Sequence, residues 1–179
     1  GHDDGQTLWI KVLFWIPETK LQSNEFDYLS AQMRDEVYVC DGGVIDHREV
    51  AAKILWLLEN SNVRAIGYDI YIFNQTIRQL LPSDEIPFMP VPQKATQMHK
   101  QSRMFHDMIN RTSQYHNTHG NKGNNEIAIF ENKLLRWNVS NAELWQNHEG
   151  LAKPTKSGDK KASRTRIDGV MAILDMMYV

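Results

Sequence analysis

The feature that most constrains this chain is the alternation of short apolar runs with segments of helical periodicity. Branched and aromatic residues fill the short runs, which predict strands at 8–16, 37–40, 63–68 and 88–91. Apolar residues recur at helical intervals in the segments 46–60, 70–81, 96–110 and 167–178. Strands and helices in this order predict an α/β fold, in which helices cover a mixed sheet.

Turn-forming and polar residues separate these elements. Asp3-Asp4-Gly5 tolerates positive φ and predicts a hairpin turn, although the only strand predicted beside it is the following one, 8–16. The polar segment 113–125 and the basic segment 150–165 show no periodicity and predict loops. The segments 126–130 and 133–139 are predicted to be extended.

The composition excludes several classes of protein. The 179 residues suffice for one domain with a core, and the net charge of −2 requires any nucleic-acid-binding charge to be local. The single cysteine, Cys40, excludes a disulfide framework and is interpreted as a core residue. No apolar run is long enough for a membrane span. The chain has no glycine-rich phosphate loop followed by lysine, which excludes an ATPase, and it lacks the histidine and cysteine clusters typical of zinc sites.

Two aspartates are candidates for a metal site. Asp69 ends a predicted strand, so it is either the N-cap of the next helix or a ligand at the carboxyl end of the sheet. Asp168 lies in the first turn of the last helix, where it either complements the helix dipole or binds metal. Asp175, seven residues later on the same face, is interpreted as solvated. Converging carboxylates are what a two-metal phosphodiester site requires.

A cluster of cations precedes Asp168. Six lysines and arginines, with Asp159 as the only acid among them, lie at Lys153, Lys156, Lys160, Lys161, Arg164 and Arg166. Such a charge run is either a solvated loop or a phosphate-binding segment. Its position directly before Asp168 favours the binding of DNA phosphates.

Several short strings, in order along the chain, resemble the C-terminal nuclease domain of tailed-phage terminase large subunits of the HK97-like group. The strings are Phe14-Trp15-Ile16-Pro17-Glu18, Gly43-Val44-Ile45-Asp46, the strand 63–69 ending in Tyr68-Asp69, Pro92-Gln93, Leu135-Arg136-Trp137-Asn138-Val139-Ser140-Asn141, Lys153-Pro154, Ser163 and Arg166-Ile167-Asp168-Gly169-Val170. The chain departs from the family where Ile70-Tyr71 replace a common Pro-Trp pair.

The resemblance implies an RNase H-like fold and a Mg²⁺- or Mn²⁺-dependent endonuclease, with two ions, that cuts concatemeric viral DNA. It implies that Asp69 and Asp168 are two of three metal-binding aspartates, and that Arg136, Asn138 and Asn141 support the site or the DNA. The expected partners are double-stranded DNA, an ATPase domain, the small terminase subunit and the portal, in the cytoplasm of an infected or lysogenic bacterium.

The resemblance also implies that 1–179 form one nuclease domain from which the family's first strand and the ATPase domain are absent. The first metal aspartate belongs to that strand, so the chain is expected to bind metal weakly and to cut DNA poorly. Two alternatives remain open. One is another RNase H-like nuclease, such as a resolvase, and the other is a non-catalytic module that binds DNA or the portal.

Overall fold

The computed structural model describes residues 1–3, 7–71, 75–82, 87–119, 126–156 and 166–179. In chain order, the strands of this part are β1 (His2–Asp3), β2 (Leu8–Ile10), β3 (Trp15–Pro17), β4 (Tyr38–Cys40), β5 (Ile66–Asp69), β6 (Phe88–Val91), β7 (Ile127–Ile129), β8 (Ala142–Gln146) and β9 (Ala152–Lys156). The helices are α1 (Tyr28–Met33), α2 (His47–Asn60), α3 (Gln75–Leu80), α4 (Ala95–His119), α5 (Lys133–Ser140) and α6 (Asp168–Tyr178), and a short 3-10 helix spans Glu18–Gln22.

The chain divides into two compact units. One consists of Gly1–Val12 with Gln93–Met177, and the other of Leu13–Pro92 with Tyr178–Val179. We call them the discontinuous unit and the central unit, respectively. Strands and helices alternate through both, so the predicted mixed α/β class is confirmed. No helix in the described part of the chain has the length and apolarity that a membrane span needs.

The first apolar run, predicted as one strand over 8–16, forms two strands in different units. In the discontinuous unit β2 pairs in parallel with β7, whereas in the central unit β3 pairs in parallel with β4. The prediction of one strand was wrong because β propensity does not specify the pairing partner, and the partner changes within this run. Residues 4–6 of the predicted hairpin turn lie outside the described residues. Strand β1 nevertheless pairs antiparallel with β2, so a short strand does precede this turn.

Three further predictions for the discontinuous unit were wrong. Helix α4 continues to His119, through residues predicted as loop, because no glycine or proline interrupts the sequence from Ala95 to Gly120. The segment 133–139 is helical rather than extended. Its helix, α5, begins after Asn132, whose side-chain oxygen accepts a hydrogen bond from the Leu135 N–H at 3.0 Å.

The third wrong prediction is the basic loop at 150–165, because strand β9 lies within this segment. It pairs antiparallel with β8 over five residues, from Ala142 opposite Lys156 to Gln146 opposite Ala152. The Ala152 N–H also donates to Nδ1 of His99 on α4 at 2.9 Å. Lysine-rich composition did not prevent strand formation, because β8 and α4 supply hydrogen-bond partners that sequence periodicity does not reveal. Residues 157–165 of the predicted loop lie outside the described part.

The central unit places two parallel strands against a helical core. Strands β5 and β6 pair in parallel from Ile66 opposite Phe88 to Asp69 opposite Val91. Buried side chains of α2 and the α3 region form the core beside them: Ala51, Ile77 and Leu81, with Val50, Ile54, Leu55 and Phe88 packed against them. Leu80, one of the apolar residues at helical intervals in the segment 70–81, is 45% exposed.

Helix α2 begins directly after Asp46, in agreement with the helical segment predicted at 46–60. Asp46 is the N-cap, and its carboxylate accepts from the Arg48 N–H at 2.9 Å. The Arg48 guanidinium also binds this carboxylate and holds its pKa below the ordinary value. Glu49 lies three residues after the N-cap, the spacing of a capping box, but its carboxylate accepts from the Cys40 thiol at 3.4 Å. Burial raises the pKa of that thiol, as expected for a cysteine in the core.

Candidate active site

Asp69 stands at the carboxyl end of a parallel strand pair. It is the last residue of β5, is partly buried, and lies opposite Val91 in β6. Its Oδ1 accepts a hydrogen bond from the Tyr71 N–H at 2.8 Å, which fixes the carboxylate over the turn that follows the strand. Residues 70 and 71, which follow it, form a turn, and residues 72–74 lie outside the described residues, so the interpretation of Asp69 as a helix N-cap stays a prediction.

Asp168 is the first residue of α6 and is exposed. Its neighbours Ile167 and Val170 are buried, as are Ile173 and Leu174 one turn later. The apolar face of α6 therefore packs inward and anchors the helix. The carboxylate is presented to solvent at the positive end of the helix dipole, where a negative charge is favoured.

Two amide side chains hold the backbone on either side of Asp168. Asn138 on α5 accepts from the Gly169 N–H through its side-chain oxygen at 3.0 Å, and its Nδ2 donates to the Leu134 carbonyl at 2.9 Å. Asn141, which ends α5, donates from its Nδ2 to the Arg166 carbonyl at 3.3 Å. The structure thus brings Asn138 and Asn141 to the start of the helix that carries Asp168.

Asp175 is buried, so its interpretation as a solvated residue was wrong. It is 9% exposed, and its Oδ1 accepts from the Gln93 side-chain amide at 2.9 Å. A hydrogen bond to an amide donor offsets part of the cost of removing a carboxylate from water. Sequence reasoning missed this pair of residues. No local sequence signal could have found it, because the two residues are 82 positions apart.

The predicted DNA-binding cations have different environments. Lys153 is partly buried in β9, and its ammonium donates to the Gln93 backbone carbonyl at 3.2 Å. Lys156 is exposed at the end of β9, and Arg166 is partly buried. Lys160, Lys161 and Arg164 lie outside the described residues. Arg136, also considered for the site, is exposed on α5 and forms an ion pair with Glu131 at 3.2 Å.

The carboxylates of Asp69 and Asp168 are oxygen ligands of the kind that hard divalent cations prefer. In the part of the chain that the structure describes, no group of three or more His, Cys, Asp or Glu side chains is placed to hold a metal ion. Asp69 belongs to the central unit and Asp168 to the discontinuous unit. Their oxygen atoms suit Mg²⁺ or Mn²⁺, and their approach to one another remains a prediction.

A family model and two solved structures similar to this chain all belong to terminase large subunits. Residues 17–179 match the family model described as "Terminase large subunit, endonuclease domain". No curated protein matches the chain in sequence. The large terminase of bacteriophage HK97 is similar in structure, with a TM-score of 0.69 and 15% identity, over 92% of this chain and 32% of that one. The large terminase nuclease of the thermophilic phage G20c has a TM-score of 0.40 and 16% identity, over 74% of this chain and 62% of that one.

The structural similarity to the HK97 terminase supports the fold. The present chain spans 32% of the length of that protein. The predicted RNase H-like fold is confirmed.

Proposed function

We propose that this chain, which belongs to the terminase large subunit endonuclease domain family, is a metal-dependent endonuclease. Its proposed substrate is double-stranded DNA during viral genome packaging. The observation that carries the proposal is that Asp69 and Asp168 each occupy an element end, one at a parallel strand and one at a helix start. A backbone N–H holds the Asp69 carboxylate itself, and the Asn138 side chain holds the backbone beside Asp168.

The proposed metal ligands are Asp69 and Asp168, which would hold Mg²⁺ or Mn²⁺, with two ions in the active protein. The ions supply activation of a water molecule and neutralisation of charge on the phosphodiester oxygens. The chain itself orients the ligands. The Tyr71 N–H holds one oxygen of Asp69, and α5 holds the backbone around Asp168.

The assembly around this activity also belongs to the proposal. Residues 1–179 act as one nuclease domain, and an ATPase domain, the small terminase subunit and the portal are its partners in packaging. The site of action is the cytoplasm of the bacterial host. The family match supports this proposal over the alternative of a resolvase-like nuclease.

The basic segment supplies non-specific affinity for DNA in this proposal. Replacing Lys160 and Lys161 by alanine should lower the slope of log binding constant against log salt concentration by about 0.9 for each phosphate that the variant no longer binds, because each bound phosphate releases condensed counterions. The measurement is fluorescence anisotropy with a labelled duplex over a salt series.

A matched control removes two exposed lysines elsewhere. Lys94 lies directly before α4, and Lys100 lies within it. This control changes the net charge equally and should leave the slope nearly unchanged. Equal slopes for the wild type and the Lys160→Ala/Lys161→Ala variant would exclude these two residues as phosphate ligands.

The proposal as a whole is tested by cleavage of supercoiled plasmid by the protein in its full natural length. Cleavage should require Mg²⁺ or Mn²⁺ and stop when a chelator removes the metal. Cleavage that persists undiminished in chelator would refute a metal-dependent mechanism.

A further inference from the structure

We infer that Asn138 and Asn141 are positioning residues that fix Asp168 from both sides, so that α5 sets the direction in which α6 presents its carboxylate. The inference deepens the proposed function and rests on it, because it concerns the same candidate metal ligand. Its physical basis is a pair of hydrogen bonds to the backbone on either side of Asp168.

The residue at the N-cap position of α6 cannot cap the helix with its side chain. The first intrahelical hydrogen bond runs from the Met171 N–H to the Ile167 carbonyl at 3.0 Å, so Ile167 occupies the N-cap position. An isoleucine has no side-chain acceptor for the free N–H groups of the first turn. Asn138 supplies that acceptor from another helix, since its Oδ1 receives the Gly169 N–H at 3.0 Å.

Asn138 is well suited to hold this position rigidly. It is 2% exposed, and both polar atoms of its side-chain amide are engaged. Its Nδ2 donates to the Leu134 carbonyl within α5, which orients the amide so that Oδ1 is directed at Gly169. A buried, hydrogen-bonded amide has little freedom to move, so the Gly169 N–H is held to one point on α5.

Asn141 completes the arrangement on the other side of Asp168. It lies three residues after Asn138, on the same side of the helix end. Its backbone N–H bonds within the last turn of α5, and its Nδ2 reaches the Arg166 carbonyl at 3.3 Å. The backbone is therefore tied to α5 two residues before Asp168 and one residue after it.

Fixing the backbone matters because a metal ligand acts only within a narrow range of positions. Functional groups must be held within about 0.5 Å of their productive geometry. A displacement of about 1 Å can cost about 100-fold in rate. An exposed carboxylate at a fraying helix start would not meet this requirement, and the two asparagines prevent that fraying.

The test compares Asn138→Ala and Asn141→Ala with Asn132→Ala. Asn132 is the matched control because it is also a buried asparagine of the α5 region, and its oxygen caps α5 at Leu135, away from Asp168. The first readout is amide hydrogen exchange at Gly169. We expect exchange to accelerate at least about tenfold in Asn138→Ala, as for the loss of one hydrogen bond, and to stay near the wild-type rate in Asn132→Ala.

The second readout is plasmid cleavage by the protein in its full natural length, over a range of Mn²⁺ concentrations. The Mn²⁺ concentration for half-maximal cleavage should rise about 10- to 100-fold in Asn138→Ala and by a smaller factor in Asn141→Ala, as for partners that orient a metal ligand. The KM for DNA should stay unchanged, and excess Mn²⁺ should restore most of the rate. Asn132→Ala should lower the melting temperature without changing the Mn²⁺ requirement.

The outcomes separate this inference from the proposed function. If Asn138→Ala and Asn141→Ala lower only the melting temperature, as the control does, the positioning role is refuted. If Asp168→Asn cuts as fast as the wild type, the assignment of Asp168 as a metal ligand fails, and the Gly169 exchange rate alone then decides whether α5 holds this helix start. Should Asn138→Ala not fold, Asn141→Ala decides the question, because its side chain is only partly buried.

Discussion

Asp168→Asn is expected to lower the rate of DNA cleavage by more than about 100-fold, since even the loss of a partner outside the metal's ligand shell costs about 10- to 100-fold. The asparagine is nearly the same size and keeps one oxygen, but it removes the negative charge that a divalent cation requires. The fold should be almost unaffected, because the side chain is exposed and the buried face of α6 is unchanged. Only the favourable interaction with the helix dipole is lost, about 0.3–1 kcal/mol.

The measurement is single-turnover cleavage of plasmid in Mn²⁺, with thermal unfolding of both proteins recorded in parallel. Asp107→Asn serves as the control, since it removes an exposed aspartate from α4 in the same unit. That variant should cut at the wild-type rate. A rate for Asp168→Asn within a factor of a few of the wild type would show that this carboxylate interacts with the helix dipole alone.

Asp69→Asn is expected to lower the rate of DNA cleavage by a similar factor while leaving the turn after β5 intact. The asparagine can keep an oxygen where Oδ1 accepts the Tyr71 N–H, so the turn survives. Its amide group, however, replaces the oxygen available to a metal. Asp69→Ala should abolish cleavage as well and should also destabilise the fold by about 1 kcal/mol, because it removes the hydrogen bond to Tyr71.

The matched control for Asp69 is Asp41→Asn. Asp41 is exposed and directly follows β4, so it too lies at the carboxyl end of a parallel strand in the central unit. Cleavage by Asp41→Asn should equal that of the wild type. If Asp41→Asn lost activity and Asp69→Asn kept it, the ligand would have been assigned to the wrong strand end.

Much of the central unit could be predicted from sequence, because its elements carry strong local signals. The apolar residues before Asp69 and the proline-bounded run at 88–91 gave β5 and β6 close to their observed bounds, and Asp46 marked the start of α2. The discontinuous unit was predicted less well. The polar end of α4 and the helix α5 have weak local patterns, and β9 depends on partners distant in the sequence.

The candidate site could also be predicted only in part. Asp69 and Asp168 were identifiable because each interrupts an apolar pattern at the end of an element. The burial of Asp175 against Gln93 was not, since those residues are 82 positions apart and only tertiary structure brings them together. Nor does periodicity reveal that Asn138 caps a helix to which it does not belong.

We propose that Asp69 and Asp168 act at one metal-dependent site, and a double-mutant cycle can test this claim. Single-turnover plasmid cleavage in Mn²⁺ would be measured for the wild type, Asp69→Asn, Asp168→Asn and the double variant, each in its full natural length. Groups that act as a unit show strongly non-additive losses. We predict that the double variant cuts no more slowly than the slower single variant. Losses that multiply in the double variant would contradict the claim and assign the two aspartates to independent roles.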